Sequence, residues 1–176
     1  MADHEGKIRI ALTGFMGVGK STVARNLSRL AGLTRIDLDD FLENKLGQSV
    51  PEYIKKNGIE HFRDAEAEAL SEVIADRTFG IISLGGGTFI SEANRRLLQE
   101  SDITSIWLEA GFEHCWANIQ NSYRERPLAG NRENAKRLYE ERGLVYCLAD
   151  WHFLIGSGNN SLDVAKQIAE QVFGIE

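Results

Sequence analysis

Residues 12–22 read LTGFMGVGKST, with three glycines, one lysine and two hydroxyl side chains in eleven positions. KIRIA, rich in β-branched residues, precedes this stretch, and VARNLSRLA, with helical spacing, follows it. A chain that puts its most flexible residues where a strand becomes a helix has few folds open to it. Gly14-x-x-x-x-Gly19-Lys20-Ser21 fits a phosphate-binding loop. Backbone N–H groups can wrap a phosphate chain only where side chains do not block them, and glycine supplies the positive φ angles of the wrap. The N-terminus of the following helix adds unpaired donors and the positive end of its dipole. Gly14, Gly17, Val18, Gly19, Lys20, Ser21 and Thr22 are therefore expected to hold a polyphosphate, ATP being the expected carrier. Lys20 would act as a mobile charge on the β and γ phosphates, and Ser21 would offer its hydroxyl to Mg²⁺.

The rest of the chain alternates strands and helices. Strands are expected at residues 7–13, 34–39, 79–84, 103–109 and 151–156. Helices are expected at 20–31, 40–46, 50–56, 59–76, 92–100, 113–121 and 132–147, and from about 162 onward. Val23, Leu27, Leu30 and Ala31 share one face of the first helix. Phe62, Ala65, Ala69, Leu70, Val73 and Ile74 have core spacing in the long helix. Leu162, Ala165, Ile168, Ala169, Val172 and Phe173 have it in the last. This alternation implies one α/β domain over residues 1–176, a five-stranded parallel sheet flanked by helices on both faces. Sites in such sheets lie at the carboxyl ends of the strands.

Those ends carry polar residues. IDLDDF follows the second strand, and Asp37 and Asp39 point the same way if the strand persists that far. One carboxylate could serve Mg²⁺ and the other could accept a proton from an attacking hydroxyl; Asp40 is placed to cap the next helix. Gly85, Gly86 and Gly87 follow the third strand, either as a tight turn or as bare backbone for a small polar ligand. Arg63 and Glu66 are three apart and can meet on one helix face, as a surface pair or as an oriented fork for a carboxylate. His61 beside them reads as structural. SYRERPLAGNREN, with Arg124 and Arg126, reads as a solvated loop or as a lid.

The formal net charge is −6, which excludes the basic face of a general nucleic-acid binder. The arginines and lysine at 124, 126, 132, 136, 137 and 142 crowd one stretch, as a solvated helix face would. No apolar run approaches the roughly 18 residues of a membrane span. Two cysteines without metal-ligand spacing read as reduced thiols. The polar start MADHEGK is not a secretory signal, so a cytoplasmic protein is expected.

The ordered set GFMGVGKST, IDLD, FRDAE, LGGG, RPL and ERGLVY resembles the shikimate kinases, over roughly residues 8–173. The resemblance implies a three-layer P-loop kinase fold of the nucleoside-monophosphate-kinase type. It has a substrate-binding segment at about 37–66 and a lid at about 122–134. It implies transfer of the γ-phosphoryl of ATP to the 3-hydroxyl of shikimate, by a monomer. By motif, Asp37 joins Ser21 at Mg²⁺, and Asp39 binds the substrate hydroxyls as the base. Arg63, set by Glu66, and Arg142 hold the shikimate carboxylate. Gly85, Gly86 and Gly87 line the substrate pocket, and Arg126 is the lid arginine on phosphate. The chain departs from the family in lacking its proline in Arg142-Gly143-Leu144-Val145-Tyr146. It also has Ile119 in the region of the family's adenine-stacking arginine. The competing readings are a kinase of another hydroxy acid or polyol, such as gluconate, and a nucleotide-binding relative without turnover.

Overall fold

β1 (Arg9–Thr13) has four of its five residues buried, the burial expected of a strand covered on both faces. It is the centre of the sheet in the computed structural model, which describes residues 8–123, 127–156 and 158–175. The five strands are all parallel and run β2-β3-β1-β4-β5, with β2 (Arg35–Asp37), β3 (Ile81–Ser83), β4 (Ile103–Glu109) and β5 (Trp151–Leu154). Ile10 pairs with Ile81 on one side and Leu12 with Ile106 on the other.

Among the described residues eight helices flank the sheet. α1 (Lys20–Ala31) packs on α8 (Ser161–Phe173). α2 (Leu38–Leu46), α3 (Val50–Asn57) and α4 (Ile59–Ala75) form a second packed group. α5 (Glu92–Glu100), α6 (Phe112–Gln120) and α7 (Arg132–Tyr146) complete the set. Local chemistry starts several of them. Ser49 and Glu52 form a reciprocal cap on α3, with Pro51 in its first turn. Asn160 and Asp163 do the same for α8. Arg9 donates to the carbonyls of Phe79 and Ile74 at 3.0 and 3.1 Å, setting a cation at the carboxyl end of α4.

Several expectations need correction. The second strand stops at Asp37, because the Asp37 side chain accepts from the N–H groups of Asp39 and Asp40 and starts α2 there. Asp37 is thus the cap, not Asp40, and Asp39 lies on a helix. Leu30 and Leu162 are exposed; Ala24 and Val164 take the buried positions. His61 is exposed. A single 3₁₀ turn, Thr88–Ile90, stands between the glycines and α5 where no element was expected. Among the described residues no helix is long and apolar enough to cross a membrane.

Candidate active site

The loop after β1 has φ angles of 141° at Gly14, 79° at Gly17 and 109° at Gly19. A Cβ at Gly14 would stand 2.5 Å from the Leu108 carbonyl oxygen, and one at Gly17 2.5 Å from that of Cys115. Glycine is required at both for conformation and for space. Gly19 is the left-handed N-cap of α1, and no side chain caps that helix. Its first N–H groups therefore face the cleft with their dipole. Lys20 Nζ donates to the carbonyls of Gly14 at 2.7 Å and Phe15 at 3.1 Å, so the ammonium is folded back over the loop. Ser21 Oγ donates to Asp37 Oδ2 at 2.7 Å.

This loop floors a cleft of about 1310 Å³. Its far wall carries His114, Asn118 and Ile119 of α6, with Ser161 from the start of α8. Asn118 Nδ2 donates to the Gly17 carbonyl at 2.7 Å and so ties α6 to the loop. A second cavity of about 570 Å³ opens beside it. Val50, Pro51, Ile54, Phe62, Pro127 and Leu128 give it apolar walls; Asp39, Arg63, Glu66, the three glycines 85–87 and Arg142 give it polar ones. Met16, Asp39 and Gly86 line both spaces.

Arg63 Nη1 donates to Glu66 Oε2 at 2.6 Å, and Thr88 Oγ1 donates to Glu66 Oε1 at 2.7 Å. Glu66 is 1% exposed, so both its oxygens are engaged away from water. Asn94 Nδ2 fixes the Thr88 carbonyl at 2.9 Å. A Cβ at Gly87 would overlap the Arg63 guanidinium, and one at Gly85 would stand 2.8 Å from Asp39 Oδ1 and Glu66 Oε1. The three glycines are thus bare because charged groups lie against them. Arg142, 7% exposed, reaches Gly86 from α7. Burial lowers its pKa; Tyr146 opposes the shift, and the neighbouring Arg63 cation adds to it. Two guanidinium groups facing one cavity, one already sharing Glu66, make a place where a ligand carboxylate relieves repulsion.

Tyr146 joins this region to the sheet. Its hydroxyl donates to the Gly86 carbonyl and hydrogen-bonds Arg142. Burial pushes its pKa up to about 12 and that of Cys115 up to about 11. Both are neutral acids raised on folding, from 10.0 and 9.0. Their stabilising contribution is whole below those values and is lost as pH rises through the folded ones. Urea midpoints are therefore expected to fall between pH 9 and 12. Tyr146→Phe should be less stable at pH 8, for want of its hydrogen bonds, but flatter between pH 10 and 12. An equally steep decline in that variant would refute the assignment.

Of the residues expected from the sequence, Gly17 through Thr22, Asp37, Asp39, Arg63, Gly85, Gly86, Gly87 and Arg142 come together around the two spaces, while Gly14 lines neither and meets the site through its carbonyl on Lys20. Arg126 and Arg124 lie outside the described residues. The basic cluster divides: Arg142 turns inward, while Arg132, Lys136 and Arg137 pair with Glu113, Glu140 and Glu141 on the exposed surface. Thr88, Asn94, Asn118 and Tyr146 were not singled out from the sequence. Each acts through a partner 6 to 101 positions away, a distance no local pattern encodes.

Comparison with known proteins agrees with this geometry. A family model described as shikimate kinase matches residues 16–173. A shikimate kinase of Thermus thermophilus is 35% identical over 168 residues, covering 93% of this chain and 89% of its own. One from Streptococcus thermophilus is 36% identical over 138 residues, covering 77% and 82%. The structure of the shikimate kinase of Acinetobacter baumannii in complex with shikimate superposes with a TM-score of 0.85 at 28% identity, covering 97% of this chain and 95% of its own.

Proposed function

The chain belongs to the shikimate kinase family, and from that premise we propose that its two adjoining spaces bind ATP and shikimate side by side. The γ-phosphoryl of ATP then passes to the 3-hydroxyl of shikimate, giving shikimate 3-phosphate and ADP. The observation that carries this reading is the wall shared by the two spaces, with Asp39 on it. An acceptor hydroxyl held there lies between a carboxylate and the end of a phosphate chain.

Arg63 and Arg142 hold the shikimate carboxylate, Glu66 and Thr88 keep Arg63 in place, and the Gly85–87 backbone lies along the ring. Asp39 binds the ring hydroxyls and takes the proton of the attacking one as the new O–P bond forms and the bond to the ADP oxygen breaks. Lys20 leaves the Gly14 and Phe15 carbonyls for the phosphates and stabilises charge on the transferring group. Arg126 belongs to the lid at about 122–134 and neutralises phosphate charge on closure. The Ser21 and Asp37 oxygens, 2.7 Å apart, are hard donors of the kind Mg²⁺ takes beside phosphate oxygens and water. The ion would supply charge neutralisation along the phosphates. The working unit is read as a monomer, and the free thiols Cys115 and Cys147 fit a cytoplasmic setting.

Coupled ADP-release assays with shikimate, gluconate or no acceptor, in wild type and Arg63→Ala, test the reading. Turnover is expected with shikimate alone. The variant should raise KM for shikimate about 10- to 150-fold, the loss of a charge-assisted bond of about 1.5–3 kcal/mol. Turnover with gluconate and none with shikimate, or a variant weakened only toward ATP, would overturn it.

A further inference from the structure

A third cavity, of about 480 Å³ with its open mouth, lies between the phosphate-binding loop, β4 and α7. We propose that it is a second ligand site, for a small aromatic ring bearing a cationic nitrogen, and that its occupancy is coupled to nucleotide affinity. Its walls come from Phe15 of the loop, Trp107 and Glu109 of β4, and Tyr139, Glu140 and Gly143 of α7.

Three observations define the ligand. The walls are aromatic: Phe15 and Tyr139 meet edge to face at 5.3 Å, and Trp107 lies beside them. Such surfaces favour a ring and a cation near its face. The charged side chains lining the space are both carboxylates, Glu109 and Glu140, with no lysine or arginine among them. Glu140 is already paired with Lys136, so Glu109 is the carboxylate that favours a cation here, the reverse of the arginine pocket. Finally, Gly143 sits within α7, where glycine is unfavourable by roughly 0.5–1 kcal/mol relative to alanine. A Cβ there would meet no atom within 4 Å, so steric need does not explain the glycine. Its effect is to leave this space open.

Coupling follows from what the walls do elsewhere. Phe15 lines this cavity and neither of the other two, yet its carbonyl accepts from Lys20. Tyr146, also on the wall, hydrogen-bonds Arg142 and Gly86. A ligand that fixes the Phe15 ring changes the stability of the loop that binds phosphate, and nucleotide must reciprocally change the ligand's affinity.

Calorimetric titration with phenethylamine, 2-phenylethanol and 3-phenylpropionate, with shikimate saturating so that the arginine pocket is filled, tests this. The amine is expected to bind one-to-one, at least about fivefold tighter than the alcohol, and the anion not at all. Glu109→Gln should level amine and alcohol, and Gly143→Leu should abolish binding of both. At saturating amine the Kd of ADP should change by about fivefold or more. No saturable binding to wild type, undiminished binding to Gly143→Leu, or unchanged amine preference in Glu109→Gln overturns the site; an unchanged ADP Kd overturns the coupling. If Gly143→Leu does not fold, Glu109→Gln decides alone. ADP binding is read without turnover, so failure here is distinct from failure of the kinase assignment.

Discussion

Lys20→Met is expected to lower kcat by about 10²–10³-fold, the loss typical of one preorganised donor to transition-state charge. The ammonium now rests on two loop carbonyls in the wall of the cleft. Methionine keeps the length of the side chain and removes the charge with its donors, so the packing along the loop is kept. Circular dichroism and the urea midpoint should therefore stay close to wild type while ADP release collapses. Substantial turnover in the variant would refute the role of the loop in transfer. Unfolding would instead show that the two carbonyl contacts are structural.

Asp39→Asn should reduce kcat by about 10²–10⁴-fold, the range of a positioned proton acceptor. Asparagine keeps the shape and leaves the backbone N–H of residue 39 bonded to Asp37. It still meets the ring hydroxyls, so KM for shikimate should move far less than kcat. This split separates Asp39 from Arg63, whose loss should appear chiefly in KM. A variant with full kcat and a raised KM would make Asp39 a binding group only, and the proton acceptor would have to be sought elsewhere.

How far the site could be read beforehand depended on the range of the forces involved. The helix at Lys20–Ala31 and the strand at Ile103–Glu109 match their expected bounds, because periodicity and terminal residues act locally. The strand through IDLD does not, because one side chain decides where it ends. Asp37 turns to cap α2, and Asp39 is carried onto the helix by that choice. Alternation alone could not see this competition between ladder and cap. Arg63 and Glu66 were legible as an i,i+3 pair, but their burial was not. The surroundings that make them more than a surface pair, Thr88 and the bare backbone at 85–87, arrive from the end of β3. The apolar wall at Val50, Pro51 and Ile54 carries no chemical signature at all. It becomes part of the site only because α3 packs on α4.

The overlap between a side chain at position 87 and the Arg63 guanidinium bears on how such a pocket can change over generations. Position 87 cannot gain a side chain while Arg63 stays where it is. Any replacement at 87 displaces the arginine and, on the proposed reading of Arg63, weakens the grip on the acceptor before any new contact can compensate. A lineage moving toward an uncharged acceptor must first surrender the arginine, and only then can it enlarge residue 87. The order of those two mutations is set by sterics, and the reverse order passes through an enzyme that holds neither acceptor well.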